Sequence, residues 1–165
     1  SALNLTGGNV SVRGLSKKTS QGDAVYPELF EKIAKGTPDI DISDCPDLGP
    51  VLMAAAAVKN GAHFTGTHRL KIKEGDRGAA MAEELLKFGC HTDVGENEIT
   101  VHKCDLKTPE LPLYGHNDHR IVMSLAVLCT LTGGSIYGAE AVSKSLPDFF
   151  DRLSSLGVDV KVDSK

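Results

Sequence analysis

The sequence predicts an α/β (α+β) fold that repeats a unit of strand, buried helix, strand, exposed helix and one or two further strands, with pseudo-threefold symmetry. Residues 47–89 and 118–157 share their pattern of apolar stretches, glycines and charges at an offset of 71 or 72 residues. Each segment opens with a stretch that is apolar on every side, which predicts buried helices with sheets around them. The chain divides into a partial first unit and two further units within one domain truncated at its N-terminus: residues 1–38, 39–105 and 106–165.

The first unit begins in the middle of the repeat. Residues 5–8 repeat residues 131–134, which follow a buried helix in the third unit. Alternating Val10 and Val12 predict a short strand, and residues 26–34 predict an amphipathic helix. Because most of the first buried helix is missing from this unit, we expect the chain to be a fragment of a larger protein.

The second unit opens with alternating Ile40 and Ile42, which predict a strand. A buried helix is expected over residues 48–60. The alternation over residues 69–73 predicts a strand with three cations on one face. An amphipathic helix follows over residues 79–88 and ends at a glycine.

The third unit follows the same order. A weak strand is expected near residues 111–113, a buried helix over 119–132, an amphipathic helix over 147–156, and extended chain over 158–162. Three buried helices side by side would point their N-termini the same way. The two amphipathic helices carry charged faces that we expect to meet solvent, formed by Glu83, Glu84, Lys87, Asp151 and Arg152.

Charge and hydropathy exclude several classes of protein. The formal net charge is -4 with a pI near 5.8, which argues against a surface that binds nucleic acid along a whole face. The sequence contains no run of 18 apolar residues, which a membrane-spanning helix would need, and no signal peptide is apparent. Neither a glycine-rich phosphate loop nor a dinucleotide fingerprint occurs, so we expect no cofactor.

The cysteines predict reduced, mostly buried thiols of a cytoplasmic protein, because they lie far apart and form no CxxC pair. They are Cys45, Cys90, Cys104 and Cys129. A zinc site could recruit Cys90, His91, His102 and Cys104, but their spacing is not that of a zinc finger or ribbon.

Charged residues open both predicted buried helices. Asp47 precedes one, and residues 117–120 (Asn-Asp-His-Arg) open the other. Helix N-termini attract anions, so a shared face of such ends could bind phosphate or carboxylate; alternatively, Asp47 and Asp118 are simple N-caps. Arg77, in the first turn of the next helix, opposes the helix dipole and therefore needs an anionic partner.

Three motifs resemble the C-terminal half of EPSP synthases, members of the enolpyruvyl transferase family. They are residues 73–85 (beginning Lys-Glu-Gly-Asp-Arg), 117–123 and 144–150, in the family's order and near its spacing. The resemblance implies a two-domain fold of βαβαββ units and a cleft between the domains. It also implies transfer of the enolpyruvyl group of phosphoenolpyruvate to the 5-hydroxyl of shikimate 3-phosphate by addition and elimination, as a step of aromatic amino acid biosynthesis.

The resemblance also implies residue roles. Asp47 would hold and deprotonate the shikimate hydroxyl, and Glu74 would exchange a proton with the enolpyruvyl methylene carbon. Lys73 would contact shikimate 3-phosphate. The phosphoenolpyruvate clamp would comprise Arg77, Arg120 and Lys144, with His119 beside it. We expect Asp47, Glu74, Arg77, His119, Arg120 and Lys144 to converge on one solvent-open face, with no metal among them.

Two residues depart from the family's pattern. Gly75 stands where Thr or Ser is usual, and Arg69 where an uncharged polar residue is common. The family's N-terminal domain has no counterpart in the chain, so we expect it as a partner, the complete enzyme being a monomer and the isolated chain inactive.

Two other functions stay open. A UDP-N-acetylglucosamine enolpyruvyl transferase would share the architecture but use a different acceptor. A non-catalytic repeat module would bind protein or RNA ends through an exposed basic or apolar patch.

Overall fold

A computed structural model of the protein describes residues 1–12, 21–72 and 75–163. Six α-helices occur in this part of the chain: α1 Ala2–Leu5, α2 Tyr26–Lys35, α3 Gly49–Val58, α4 Arg77–Lys87, α5 His119–Thr132 and α6 Phe149–Ser155. The strands in the same ranges are β1 Asp39–Asp41, β2 Ala62–Thr65, β3 Thr92–Val94, β4 Glu98–Val101, β5 Leu113–Tyr114 and β6 Ile136–Tyr137. Four 3-10 turns join them: Gly22–Val25, Pro46–Leu48, Thr67–Ile72 and Ala139–Lys144.

The strands form two sheets. In the larger sheet the order is β1-β2-β4-β3, with β1 parallel to β2 and the other neighbours antiparallel. Ile40 pairs with Phe64, and Phe64 with Ile99, so that three buried side chains cross the sheet on its core side. The smaller sheet joins β5 and β6 in parallel. Helix α3 therefore connects two parallel strands, and α5 does the same in the next part of the chain.

Helix α3 is the centre of the core. It packs against α1, α2, α4 and α5, and eight of its ten residues are buried. Because Leu52 and Met53 are followed by four alanines, apolar side chains occur on every side of the helix, and the small residues let neighbouring elements approach closely. The expectation of a buried helix over residues 48–60 is confirmed.

Helix α5 is buried over most of its length, as expected for residues 119–132. Its central residues, Ile121 to Leu128, are buried apart from Met123. The last turn reaches the surface, where Leu131 is 45% exposed. The two amphipathic helices are terminated by glycines, as the sequence predicts. Gly89 and Gly157 have φ angles of 83° and 93°, in the region that favours glycine.

The prediction of a strand over residues 69–73 is wrong for the part that the structure describes. Thr67–Ile72 is a 3-10 turn. Leu70 is buried but Ile72 is 67% exposed, so the two apolar side chains do not share a face as a strand would require. Arg69 donates a hydrogen bond to the Ser43 carbonyl, and Lys71 donates one to the Glu96 carbonyl. These contacts to neighbouring segments stabilise the turn.

The valine alternations did not produce strands either. Val10 and Val12, and residues 158–162, lie in segments without regular secondary structure. The backbone amide and carbonyl of Val10 bond to the Asn4 side chain instead of to a neighbouring strand. Alternation alone therefore does not make a strand. No helix in the described ranges combines the length and the apolar character needed to cross a bilayer.

The predicted exposed face of α4 contains a buried acid. Glu83 is exposed as expected, but Glu84 is fully buried. Its carboxylate accepts hydrogen bonds from the Lys87 ammonium at 2.9 Å and from the Tyr114 backbone amide at 2.9 Å. The expectation for Glu84 is therefore wrong, because a segment 30 residues further along the chain covers it.

Core packing around α5 gives the first prediction. Leu125→Ala should lower the free energy of unfolding by about 2–5 kcal/mol, because Leu125 is fully buried and its truncation leaves a cavity. Leu131→Ala on the same helix is the matched control and should change it by less than about 1 kcal/mol. Urea unfolding followed by circular dichroism measures both. Equal losses would contradict the described burial of α5.

Candidate active site

Two carboxylates lie at the N-terminal ends of the central helices. Asp47 belongs to the 3-10 turn Pro46–Leu48 that leads directly into α3. Asp118 is the N-cap of α5, and its side chain accepts a hydrogen bond from the Arg120 amide at 2.8 Å. Both carboxylates bond to Arg77, so the two helix starts share one end of the core.

The Arg77 guanidinium bridges these carboxylates. Its Nε donates to Asp118 Oδ2 at 2.5 Å, and its Nη1 donates to Asp47 Oδ1 at 2.9 Å. Arg77 is the first residue of α4, where a cation opposes the helix dipole. Two anionic partners offset that unfavourable position and the cost of burial, so the anionic partner expected from the sequence is found twice.

Arg120 engages the other oxygen of Asp47. Its Nη2 donates to Asp47 Oδ2 at 2.7 Å, and its Nη1 donates to Nε2 of His119 at 2.9 Å. Asp47 is thus held between two guanidinium groups, one on each carboxylate oxygen. The Arg120 side chain is 29% exposed, whereas that of Arg77 is 2% exposed. Arg120 can therefore meet a solute, while Arg77 faces the protein.

Lys144 lies at the same end of α5. Its Nζ donates to the backbone carbonyl of Asn117 at 2.6 Å and to the Asn117 side-chain oxygen at 2.8 Å. The Lys144 side chain is exposed. Since Asn117 directly precedes Asp118, the lysine adds a solvent-facing cation beside the helix start.

The buried acid Asp118 is ionised. Its burial raises the pKa, but the hydrogen bonds from Arg77 and from the Arg120 amide, together with the nearby charges of Arg77 and His119, outweigh burial and hold the pKa below its usual range. Near neutral pH the site therefore contains an anion that keeps Arg77 in place.

A second buried charge orients the loop before α5. The Glu84 carboxylate accepts a hydrogen bond from His116 Nε2 at 2.8 Å. His116 and Asn117 have φ angles of 48° and 54°, in the left-handed region that non-glycine residues rarely adopt. The hydrogen bonds of Glu84 to His116 and of Lys144 to Asn117 hold both residues in this conformation. Sequence reasoning missed Glu84, because an acid three residues before a lysine on a helix usually indicates an exposed pair.

A cavity of about 220 Å³ adjoins the charged cluster. It is lined by residues of α4 and the segment before it and by residues of α5 and the loop before it: Gly75, Asp76, Arg77, Ala80, His116, Asp118 and Ile121. Among the described residues, apart from its chain neighbours, a Cβ atom built on Gly75 meets no atom within 4 Å. A side chain at position 75 would therefore have space at the edge of this cavity.

The structure brings together five of the predicted site residues: Asp47, Arg77, His119, Arg120 and Lys144. Lys73 and Glu74 lie outside the described residues. Arg77 was expected to form part of a solvent-open clamp around phosphoenolpyruvate. Its side chain is instead buried between two carboxylates. For Asp118 the sequence predicted either an N-cap or a place on an anion-binding face; its ion pair with Arg77 spans 41 residues and leaves no local signal.

Comparison with known proteins places the chain in a family. The family described as EPSP synthase (3-phosphoshikimate 1-carboxyvinyltransferase) matches residues 2–153. The chain belongs to the EPSP synthase family. Relatives named 3-phosphoshikimate 1-carboxyvinyltransferase include one from Clostridium acetobutylicum, 36% identical over 93% of this chain and 40% of its own length. Another, from Halorubrum lacusprofundi, is 39% identical over 76% of this chain and 28% of its own length.

A solved structure of EPSP synthase from Acinetobacter baumannii is also similar. Its TM-score is 0.66 at 29% identity, covering 74% of this chain and 30% of that one. The α/β fold expected from the sequence is thereby confirmed. The chain spans between 28% and 40% of the length of these EPSP synthase relatives.

The buried ion pair gives a stability prediction. Arg77→Ala should lower the free energy of unfolding by about 3–5 kcal/mol, because it leaves the Asp118 carboxylate buried without its cation. Arg152→Ala removes an exposed partner of Asp148 and should cost less than about 1 kcal/mol. Denaturant unfolding of both variants measures the difference, and an Arg77→Ala chain as stable as Arg152→Ala would show that the bridge does not support the fold.

Asp118 should also make stability depend on pH. A carboxyl whose pKa is lower when folded stabilises the fold above its unfolded pKa of about 3.9, and this contribution disappears as the pH falls through the folded value. The stability difference between the wild-type chain and Asp118→Asn should therefore be largest near neutral pH and shrink below about pH 4. Urea titrations from pH 7 to pH 3 test this, and a constant difference would contradict it.

Proposed function

We propose that this chain forms part of an enzyme that transfers the enolpyruvyl group of phosphoenolpyruvate to the 5-hydroxyl of shikimate 3-phosphate. The observation that carries the proposal is the Asp47 carboxylate held between Arg77 and Arg120 where α3 and α5 begin. Membership of the EPSP synthase family supports it. Trianionic phosphoenolpyruvate needs guanidinium and ammonium donors, which Arg120 and Lys144 offer on their exposed sides.

The proposed addition step divides the proton transfers between two acids. Glu74 delivers a proton to the methylene carbon of phosphoenolpyruvate while the shikimate hydroxyl oxygen bonds to its C2 atom and gives its proton to Asp47. In the elimination the methyl carbon returns a proton to Glu74, the carbon–oxygen bond to phosphate breaks, and the departing phosphate takes the proton from Asp47. Two carboxylates in different surroundings can take opposite acid and base roles at one pH.

The contacts of Asp47 suggest how substrate could activate it. Two guanidinium groups occupy its carboxylate, one on each oxygen. An incoming phosphoenolpyruvate anion would compete with Asp47 for Arg120 and free one carboxylate oxygen for the shikimate hydroxyl. Arg77 would stay in place, because Asp118 also holds it, and would position Asp47 rather than contact the substrate. His119 would orient Arg120 through their hydrogen bond, and Lys73 would contact shikimate 3-phosphate.

The chain alone should be nearly inactive. It spans 40% of the length of the Clostridium acetobutylicum relative, and the family resemblance implies that further substrate contacts come from an N-terminal domain. Productive transfer needs both substrates in near-attack geometry, and a misplacement of about 1 Å can cost about a hundredfold in rate. Adding the N-terminal domain of an EPSP synthase relative, fused or in trans, should produce phosphate release with shikimate 3-phosphate.

Variants of this reconstituted enzyme test the proposed roles. Glu74→Gln should lower kcat by about 10²- to 10⁴-fold, because a general acid is lost. Arg120→Ala should chiefly raise KM for phosphoenolpyruvate, by about 10- to 100-fold. Glu83→Gln, on the exposed face of α4, is the matched control and should keep wild-type kinetics. Phosphate release is the measurement.

Three outcomes would oppose the proposal. Robust turnover by the chain alone would show that an N-terminal domain is not needed for the transfer. Indifference to Glu74→Gln would show that Glu74 is not the general acid. Transfer to UDP-N-acetylglucosamine in preference to shikimate 3-phosphate would identify the sister reaction instead.

A further inference from the structure

The hairpin of β3 and β4 places two histidines directly opposite each other. Thr92 pairs with Val101 in the antiparallel register, and the pairing continues one step further, where the His102 amide donates to the His91 carbonyl at 3.1 Å. Side chains opposite each other in a ladder lie on the same face of the sheet. Asp93, two residues after His91 on its strand, lies on that face as well.

The three side chains already converge. Nε2 of His91 lies 3.0 Å from Asp93 Oδ1, and Nε2 of His102 lies 2.6 Å from Asp93 Oδ2. The imidazole rings are stacked with centroids 5.5 Å apart and planes at 23°. One donor atom from each of the three residues falls within 4.8 Å of the other two.

We propose that His91, Asp93 and His102 bind a divalent transition-metal ion of the Zn²⁺ class. Two imidazole nitrogens and a carboxylate oxygen are the donors that such ions prefer, whereas Mg²⁺ and Ca²⁺ prefer oxygen alone. Tetrahedral Zn²⁺ with bonds near 2.0–2.1 Å separates its ligand atoms by about 3.3 Å. The His91–Asp93 separation therefore needs to open by about 0.3 Å and the His102–Asp93 separation by about 0.7 Å. The Nε2 protons would move to Nδ1 through solvent.

The site is open to water. The side chains of His91, Asp93 and His102 are 70%, 62% and 49% exposed. Water would therefore complete the coordination shell, and the ion would link β3 to β4 across the hairpin.

The cysteines beside the histidines do not join this site. Cys90 is buried and donates a weak hydrogen bond to the His102 carbonyl with a sulfur-to-oxygen distance of 3.3 Å. Its burial raises the pKa of the thiol, which disfavours the thiolate that metals bind. As neighbours on one strand, Cys90 and His91 project to opposite faces. The set of Cys90, His91, His102 and Cys104 considered from the sequence is therefore replaced by the two histidines and Asp93.

Calorimetric titration of the 165-residue chain with ZnCl₂ tests the proposal. The wild-type chain should bind one equivalent of Zn²⁺ saturably. His91→Gln, His102→Gln and Asp93→Asn should each weaken Zn²⁺ binding at least about tenfold, because mutating even a residue that only hydrogen-bonds to a metal ligand lowers metal affinity by that much. His68→Gln, which removes an exposed histidine outside the cluster, is the matched control and should bind as the wild type does.

Two further measurements complete the test. Zn²⁺ should raise the Tm of the wild-type and His68→Gln chains but not that of His102→Gln, because a ligand that binds only the folded state stabilises it. MgCl₂ should have no such effect. Equal Zn²⁺ affinity in the wild-type and His102→Gln chains, or loss only in His68→Gln, would overturn the assignment. Neither readout depends on the proposed enolpyruvyl transfer.

Discussion

The bridge from Arg77 to Asp47 and Asp118 is the interaction on which this end of the molecule depends. It joins the starts of three helices, α3, α4 and α5, through one guanidinium group. Apolar packing between α3 and α5 brings the helices together but has little directional preference. The charged hydrogen bonds have strict geometry and therefore set how the helix starts meet.

The solvent exposure of the charged side chains increases with their distance from the buried part of that bridge. Arg77 is buried, Asp47 and Arg120 are partly exposed, and Lys144 is exposed. A buried charge pair holds the fixed part of the cluster, and the exposed cations remain accessible to an anionic ligand. Asp47 lies between the two parts, because the buried Arg77 holds one of its oxygens and the partly exposed Arg120, which would meet substrate, holds the other.

Glu84 supports the same cluster from the side. Its carboxylate connects α4 to the loop before α5 through Tyr114 and His116. Because this loop contains two consecutive left-handed residues, its conformation needs outside support. The hairpin of His91 and His102 belongs to a separate part of the fold, the edge of the larger sheet, and shares no residue with the charged cluster.

The sequence by itself determined the buried helices, the charged residues at their starts and the glycines that end the amphipathic helices, because each of these follows from neighbours within a few positions. It did not determine that Thr67–Ile72 is a 3-10 turn, since contacts to Ser43 and Glu96 decide that. The burial of Glu84 and the pairing of Arg77 with Asp118 likewise depend on residues 30 or more positions away. Local periodicity reports which face of an element is apolar, whereas the partner of a buried charge exists only once distant segments have packed together.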